Sequence, residues 1–332
     1  MKSRMQQISF WLLLFLVFST GLLGAQEPPE WDDPRGDTWP ESVERVRIRS
    51  TADESFQKAY YYQSPLPGPQ PLVVSLHTWS GDYNQKDRLV QDITERGWHY
   101  IHPDFRGPNT RPEACGSPLV LSDLDDAIQF AIDQGGVDTT AIHVIGSSGG
   151  GYATLLLYRN SRHPIRTFSA WVPISNLEDW YWSSKSRGLK YADHLEAVTQ
   201  SDSIAFNAEE ARRRSPIYKK TERPDRSNSQ LFLYAGIHDG YTGSVPITQS
   251  VHFYNKLVEE MGGTTEDQVP MEQLVYLLAQ RTSIPHYTTD EEPIGGRHVH
   301  LRKRYRSVQL TIFEGRHEMV IAAALSPMIN KH

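Results

Sequence analysis

From residue 72 onward, short runs of apolar residues alternate with segments whose apolar positions recur every three or four residues. The run at 72–76 is continuously apolar but for Ser75, and further short strand-like runs recur at 99–102, 141–145, 168–173, 231–235 and 308–312. That predicts strands buried on both faces of a parallel sheet. Helices are predicted at 87–96, 123–133, 152–158, 251–261, 271–280 and 319–325. In 123–133 the residues Leu124, Ala127, Ile128 and Ala131 fall on one helical face, and Gly262-Gly263 stops 251–261. Upstream, 43–49 and 56–62 carry alternating, β-branched and aromatic residues around a Thr-Ala-Asp-Glu turn, the signature of an antiparallel hairpin. Pro65, Pro67, Pro69 and Pro71 close it with a stiff connector.

Strands alternating with helices imply βαβ crossovers and a mainly parallel, doubly wound α/β sheet, here with an N-terminal antiparallel hairpin. Two long segments interrupt the alternation: 176–216, partly helical and rich in aromatic residues, and 264–307, a helix followed by a polar loop. Such insertions form lids or pocket walls, so 43–332 is read as one domain with insertions, although length alone suggests two. Residues 26–42, rich in Pro, Asp, Glu and Trp, form an irregular lead-in.

The first 25 residues stand apart. Lys2 and Arg4 precede an apolar run over 10–18, and small residues follow at 21–25, the layout of a secretory signal peptide. A retained anchor fits less well, because a span needs about 20 apolar residues. The expectation is a secreted or periplasmic protein with no membrane association after cleavage.

Formal charge is 34 − 40 = −6, and −8 without Lys2 and Arg4, since 1–25 holds no acid. An acidic chain lacks the footprint of a nucleic-acid binder or of a protein drawn to anionic lipid. Cys115 is the single cysteine, which excludes an intramolecular disulfide, zinc ribbons and iron–sulfur clusters.

Gly146-Ser147-Ser148-Gly149-Gly150 fits G-x-S-x-G, with a strand directly before it and a helix directly after. That is the strand–turn–helix of a nucleophile elbow. The competing reading is a plain glycine-rich phosphate loop, but no Lys follows the glycines. A serine hydroxyl needs a base, and the base an orienting acid, in the chain order Ser, Asp or Glu, His. Asp239 follows the 231–235 strand and His317 follows the 308–312 strand; His298 and His300 lie in a loop on the wrong side of it. His317-Glu318 has no second His at metalloprotease spacing, and His298-Val299-His300 is too small a ligand set, so no metal or other cofactor is expected. For the oxyanion hole, one donor is assigned to the Gly149 N–H and the other to Thr78 or Trp79, in the loop after the 72–76 strand.

With these residues in place the chain resembles the α/β-hydrolase superfamily, and within it the catalytic domain of the prolyl oligopeptidase family and related secreted esterases. The resemblance runs from about residue 43 to the C-terminus. It rests on Ser75-Leu76-His77 leading to Gly81, Pro103-Asp104-Phe105-Arg106-Gly107-Pro108, the elbow, Arg214-Ser215-Pro216-Ile217, the Gly236–Asp239 turn and Gly315-Arg316-His317. Two features depart from it: His77 is followed by Thr78 where the family has glycine, and 264–307 lengthens the gap between acid and histidine. Only about 45 residues precede the core strands, which leaves no room there for the family's gating propeller.

An ungated site favours esters or bulky polymers. Trp180 and Trp182 in the first insertion offer flat faces for sugar rings, and Arg106 suits a uronate carboxylate or a loop hydrogen bond. The leading expectation is therefore a carbohydrate esterase acting on acetyl, methyl or aryl esters of a polysaccharide or a smaller ester substrate. A prolyl oligopeptidase-type serine peptidase and a non-catalytic binding protein on the same fold are the alternatives.

Overall fold

The computed structural model describes residues 39–200, 205–221, 226–284 and 292–329; the segment 1–25 and most of the lead-in lie outside them. The hairpin forms as β1 (Glu44–Arg49) and β2 (Phe56–Tyr62), antiparallel with Val46 opposite Ala59. Then follow β3 (Gln70–Leu76), α1 (Val90–Glu95), β4 (His99–Pro103), α2 (Pro118–Asp133), β5 (Val137–Ser147), α3 (Gly149–Asn160) and β6 (Thr167–Trp171). The first insertion carries α4 (Leu177–Ser186), α5 (Tyr191–Thr199) and α6 (Ala208–Arg214). The chain continues through β7 (Gln230–Gly236), α7 (Thr248–Glu260), α8 (Met271–Gln280), β8 (Val299–Tyr305), β9 (Val308–Phe313), α9 (Ile321–Ala324) and α10 (Ser326–Ile329).

The described strands make one sheet in the order β1-β2-β4-β3-β5-β6-β7-β9-β8. From β4 to β9 every neighbouring pair is parallel; β1-β2, β2-β4 and β8-β9 are antiparallel. Both faces are covered. Leu72, Val74, Ile142, Val144 and Leu233 pack under Leu124, Ile128, Leu155, Val251 and Leu257 of α2, α3 and α7. Val73, Ile145, Trp171 and Phe313 pack on the other face with Ile93 of α1 and Ala324 and Met328 of α9 and α10. Burial on both sides is why β3, β6 and β7 are mostly apolar, while β9 keeps Gln309 and Thr311 buried between its apolar residues. Among the described residues no helix is long and apolar enough to cross a membrane.

Several elements differ from the sequence expectation: β5 begins at Val137 rather than 141, and the helix expected over 319–325 is split into α9 and α10. Helix α2 starts five residues before 123, because Ser117 caps it by accepting from the Val120 N–H at 3.3 Å and Pro118 stands in the first turn. The stretch read as a polar loop before the last strand contains β8, so His300 lies in a strand. Val299 and Leu301 are buried against β9 while Arg302, Lys303 and Arg304 lie along the sheet edge, where cationic residues discourage pairing with another chain. Their abundance made the strand look like a polar loop.

Candidate active site

Strands β5, β7 and β9 are linked through parallel pairings, so their carboxyl ends open on one side of the sheet, where doubly wound folds place their sites. Ser148 sits between β5 and α3 at φ +56°, ψ −114°, a strained backbone for a residue with a Cβ. Its N–H donates to the Trp171 carbonyl at 2.9 Å, which fixes the turn to β6. The turn closes so tightly that a Cβ on Gly146 would lie 2.3 Å from the carbonyl carbon of Gly150. No side chain fits there.

The structure brings the three expected residues together. His317 Nε2 is 2.9 Å from Ser148 Oγ, and His317 Nδ1 is 2.7 Å from Asp239 Oδ2. A carboxylate only accepts, so Nδ1 carries the proton and Nε2 is left to accept from the serine hydroxyl. Asp239 is buried, and its Oδ1 accepts from the N–H groups of Gly240 at 2.9 Å and Val245 at 3.0 Å. One carboxylate oxygen thus holds the turn while the other faces His317. His300 does not join them: its Nε2 lies 2.9 Å from Glu314 Oε2, whose other oxygen is 2.8 Å from His238 Nε2.

Opposite the hydroxyl, Gly149 begins α3, so its N–H has no intrahelical acceptor. A Cβ on Gly149 would sit 2.3 Å from the Trp79 nitrogen, which places the two backbone donors side by side. Thr78 drops out as a donor. Its N–H and hydroxyl both donate to Gln85 Oε1, at 2.9 and 3.0 Å. The Trp79 N–H has no acceptor among the described residues, and the Trp79 carbonyl is held by the Asn109 N–H at 2.9 Å. Two neighbouring N–H groups without acceptors among the described residues, one of them on the residue next after Ser148, can stabilise an oxyanion.

The expected substrate contacts are corrected in two of three cases. Arg106 does not face the site: its guanidinium donates to Asp53, Asp123 and Ser50, tying the hairpin turn to α2. Those bonds hold the Asp53 carboxyl well below the usual carboxylate range. Trp180 offers no stacking face, because it is fully buried edge-on to Trp79 at 4.6 Å and donates to the Ser244 carbonyl at 2.8 Å. Trp182 is 58% exposed beside Tyr181 and Phe206. Cys115 is buried with its thiol pushed up to about 12 by burial, which makes it a poor nucleophile.

Several site residues had no sequence signal. Gly243 passes so close to the acid–base pair that a Cβ there would lie 2.2 Å from Asp239 Oδ1 and 2.6 Å from His317 Cβ. His194, on the inserted α5, accepts from the Trp79 indole N–H through Nδ1 at 3.2 Å. Gln85 becomes recognisable only once its contact with Thr78 is seen.

A comparison with curated proteins finds no match. Among solved structures, acylaminoacyl peptidase from Pyrococcus horikoshii superposes with a TM-score of 0.53 at 20% identity, covering 67% of this chain and 35% of that one. A puromycin-hydrolyzing peptidase from Mycobacterium tuberculosis gives 0.52 at 19%, over 66% of this chain and 34% of that one. Prolyl oligopeptidase B from Galerina marginata gives 0.53 at 15%, over 67% and 32%. The chain thus spans about a third of the length of these structures, and the likeness establishes the α/β-hydrolase fold. The model of the prolyl oligopeptidase family matches residues 88–276, more than half of the chain, a span that includes Ser148 and Asp239. The chain belongs to the prolyl oligopeptidase family of serine hydrolases.

Proposed function

We propose that the protein is a serine peptidase of the prolyl oligopeptidase type, working through an acyl-enzyme on Ser148. The observation that carries this is the continuous relay from Asp239 through His317 to a serine held at a strained turn, at 2.7 and 2.9 Å. His317 Nε2 takes the hydroxyl proton as Oγ bonds to the carbonyl carbon. The oxyanion is received by the Gly149 and Trp79 N–H groups. The carbon–nitrogen bond then breaks, and His317 hands its proton to the leaving amine. Water repeats the sequence on the ester and restores Ser148. Asp239 keeps the imidazole in the right tautomer and stabilises its charged form.

Amide over ester is the choice because family membership favours it and two of the three side chains that argued for a sugar ester have other duties. Trp180 is buried in packing and Arg106 is saturated by acids. The signal-like segment over 1–25 supports a place of work outside the cytoplasm. The test is a panel of peptide anilides beside acetylated and methyl-esterified glycans, each with wild type and Ser148→Ala. Amine release that disappears in Ser148→Ala is expected. Release of acetate or methanol without amine would return the assignment to an esterase.

A further inference from the structure

We propose that His194 is a positioning residue for the oxyanion hole: from the inserted helix α5 it holds the Trp79 indole and, through it, the Trp79 backbone N–H beside Gly149. This rests on the hydrolase reading above. An oxyanion donor must be fixed in place while its N–H stays unbonded. Trp79 lies in a loop between β3 and α1 with no ladder to hold it. Two holds come from the body of the fold: the Asn109 N–H on the Trp79 carbonyl, and Gln85 on Thr78. The third comes from outside it. Trp79 is 2% exposed, and a buried indole N–H, a donor only, needs an acceptor. That acceptor is His194 Nδ1.

The same insertion also reaches the acid. Trp180 of α4 packs edge-on against Trp79 and donates to the carbonyl of Ser244, next to the Val245 N–H that holds Asp239 Oδ1. Arg187 donates to the Gly243 carbonyl at 2.7 Å. The inserted helices therefore brace both the oxyanion loop and the acid loop, which a cover over the site has no need to do. His194 is the insertion's hydrogen bond to the residue whose backbone N–H is assigned to the oxyanion.

The full chain is assayed with p-nitrophenyl acetate and with a peptide anilide, as wild type, His194→Phe, His194→Asn, Trp79→Phe and the Phe–Phe double variant. His194→Phe keeps a ring but removes the acceptor, and is expected to lower kcat about tenfold, the scale of one lost hydrogen bond, with KM within twofold. His194→Asn puts a carbonyl oxygen near the position of Nδ1 and should recover most of the loss. Trp79→Phe should slow the enzyme as much as His194→Phe, with no further loss in the double variant. An unchanged kcat in His194→Phe, a change confined to KM, or an Asn variant as slow as the Phe variant each overturns the proposal. Should His194→Phe not fold, the comparison of Trp79→Phe with His194→Asn decides. Ester turnover without anilide turnover defeats the peptidase reading but still scores His194 on the ester, whereas ester turnover equal in Ser148→Ala overturns both.

Discussion

Replacing Gly149 by alanine tests the oxyanion hole at its tightest point. The new Cβ would lie 2.3 Å from the Trp79 nitrogen, 2.4 Å from its Cα and 2.8 Å from the Thr78 carbonyl carbon, all backbone atoms. An ordinary carbon–nitrogen contact is longer by about 1 Å, so the loop carrying the second donor must retreat by roughly that much. A displacement of about 1 Å in a catalytic geometry costs on the order of 100-fold. Outright loss of one oxyanion donor costs about 100- to 1,000-fold, or about 3–4 kcal/mol. The expected result is a kcat reduced by 100-fold or more with KM changed little, because the donors act on charge that exists only in the transition state. Steady-state kinetics on a chromogenic substrate, with active-site titration and a thermal melt to verify folding, measures this. Ser147→Ala serves as a control beside the elbow, since the Ser147 hydroxyl has no partner among the described residues. A folded Gly149→Ala enzyme retaining kcat within threefold of wild type would refute the assignment of Trp79 and Gly149 as paired donors.

Asp239→Asn should leave the fold intact but present His317 in the wrong tautomer, lowering kcat by about 10⁴ with KM preserved; rates near wild type would remove Asp239 from the relay. Arg106→Gln should cost stability rather than activity. It leaves the buried Asp123 without its cation, a loss of about 3 kcal/mol by urea unfolding with KM unchanged, and a raised KM would restore Arg106 to the substrate site. Acid should weaken the fold through His102 and His143, whose buried rings are pulled down to about 4 by desolvation. Between about pH 6.5 and 4 the unfolded chain binds protons that the folded chain refuses. Stability is therefore intact above pH 6.5 and falls by up to about 3 kcal/mol per ring as the pH drops to 4. Unfolding midpoints across that range, compared with His143→Phe, check the sign; a flat profile would contradict it.

The sheet was legible because burial on both faces leaves few polar positions: Ser75 alone interrupts 72–76 and His143 alone interrupts 141–145, too few to hide the apolar runs. The hairpin was legible for the opposite reason, partial alternation with β-branched and aromatic residues on both sides of a polar turn. β8 escaped because its edge position admits Arg302, Lys303 and Arg304, and charge along a strand looks like a loop when its partner is unknown. The start of α2 was written in Ser117-Pro118, a cap and a first-turn proline, yet the apolar periodicity begins only at Leu124.

The site divides along the same line. Ser148, Asp239 and His317 were legible since each sits just past a strand end that the apolar pattern marks, and chain order then restricts which His and Asp serve. What the sequence could not reveal are contacts that depend on which loops approach one another. Thr78 and Trp79 are adjacent, and only the position of Gln85 decides that one N–H is consumed and the other left available. Trp180 and Trp182 are two residues apart on one helix, yet about 200° of rotation puts one in the packing around Trp79 and the other in solvent. Aromatic residues near an active site carry no mark of which way they turn. The three helices between β6 and β7 set that direction, and they also supply the acceptor for the Trp79 indole. If His194 positions Trp79 as proposed, the insertion belongs to the catalytic geometry: the sheet brings Ser148, Asp239 and His317 together, and the added helices hold the loop that carries Trp79.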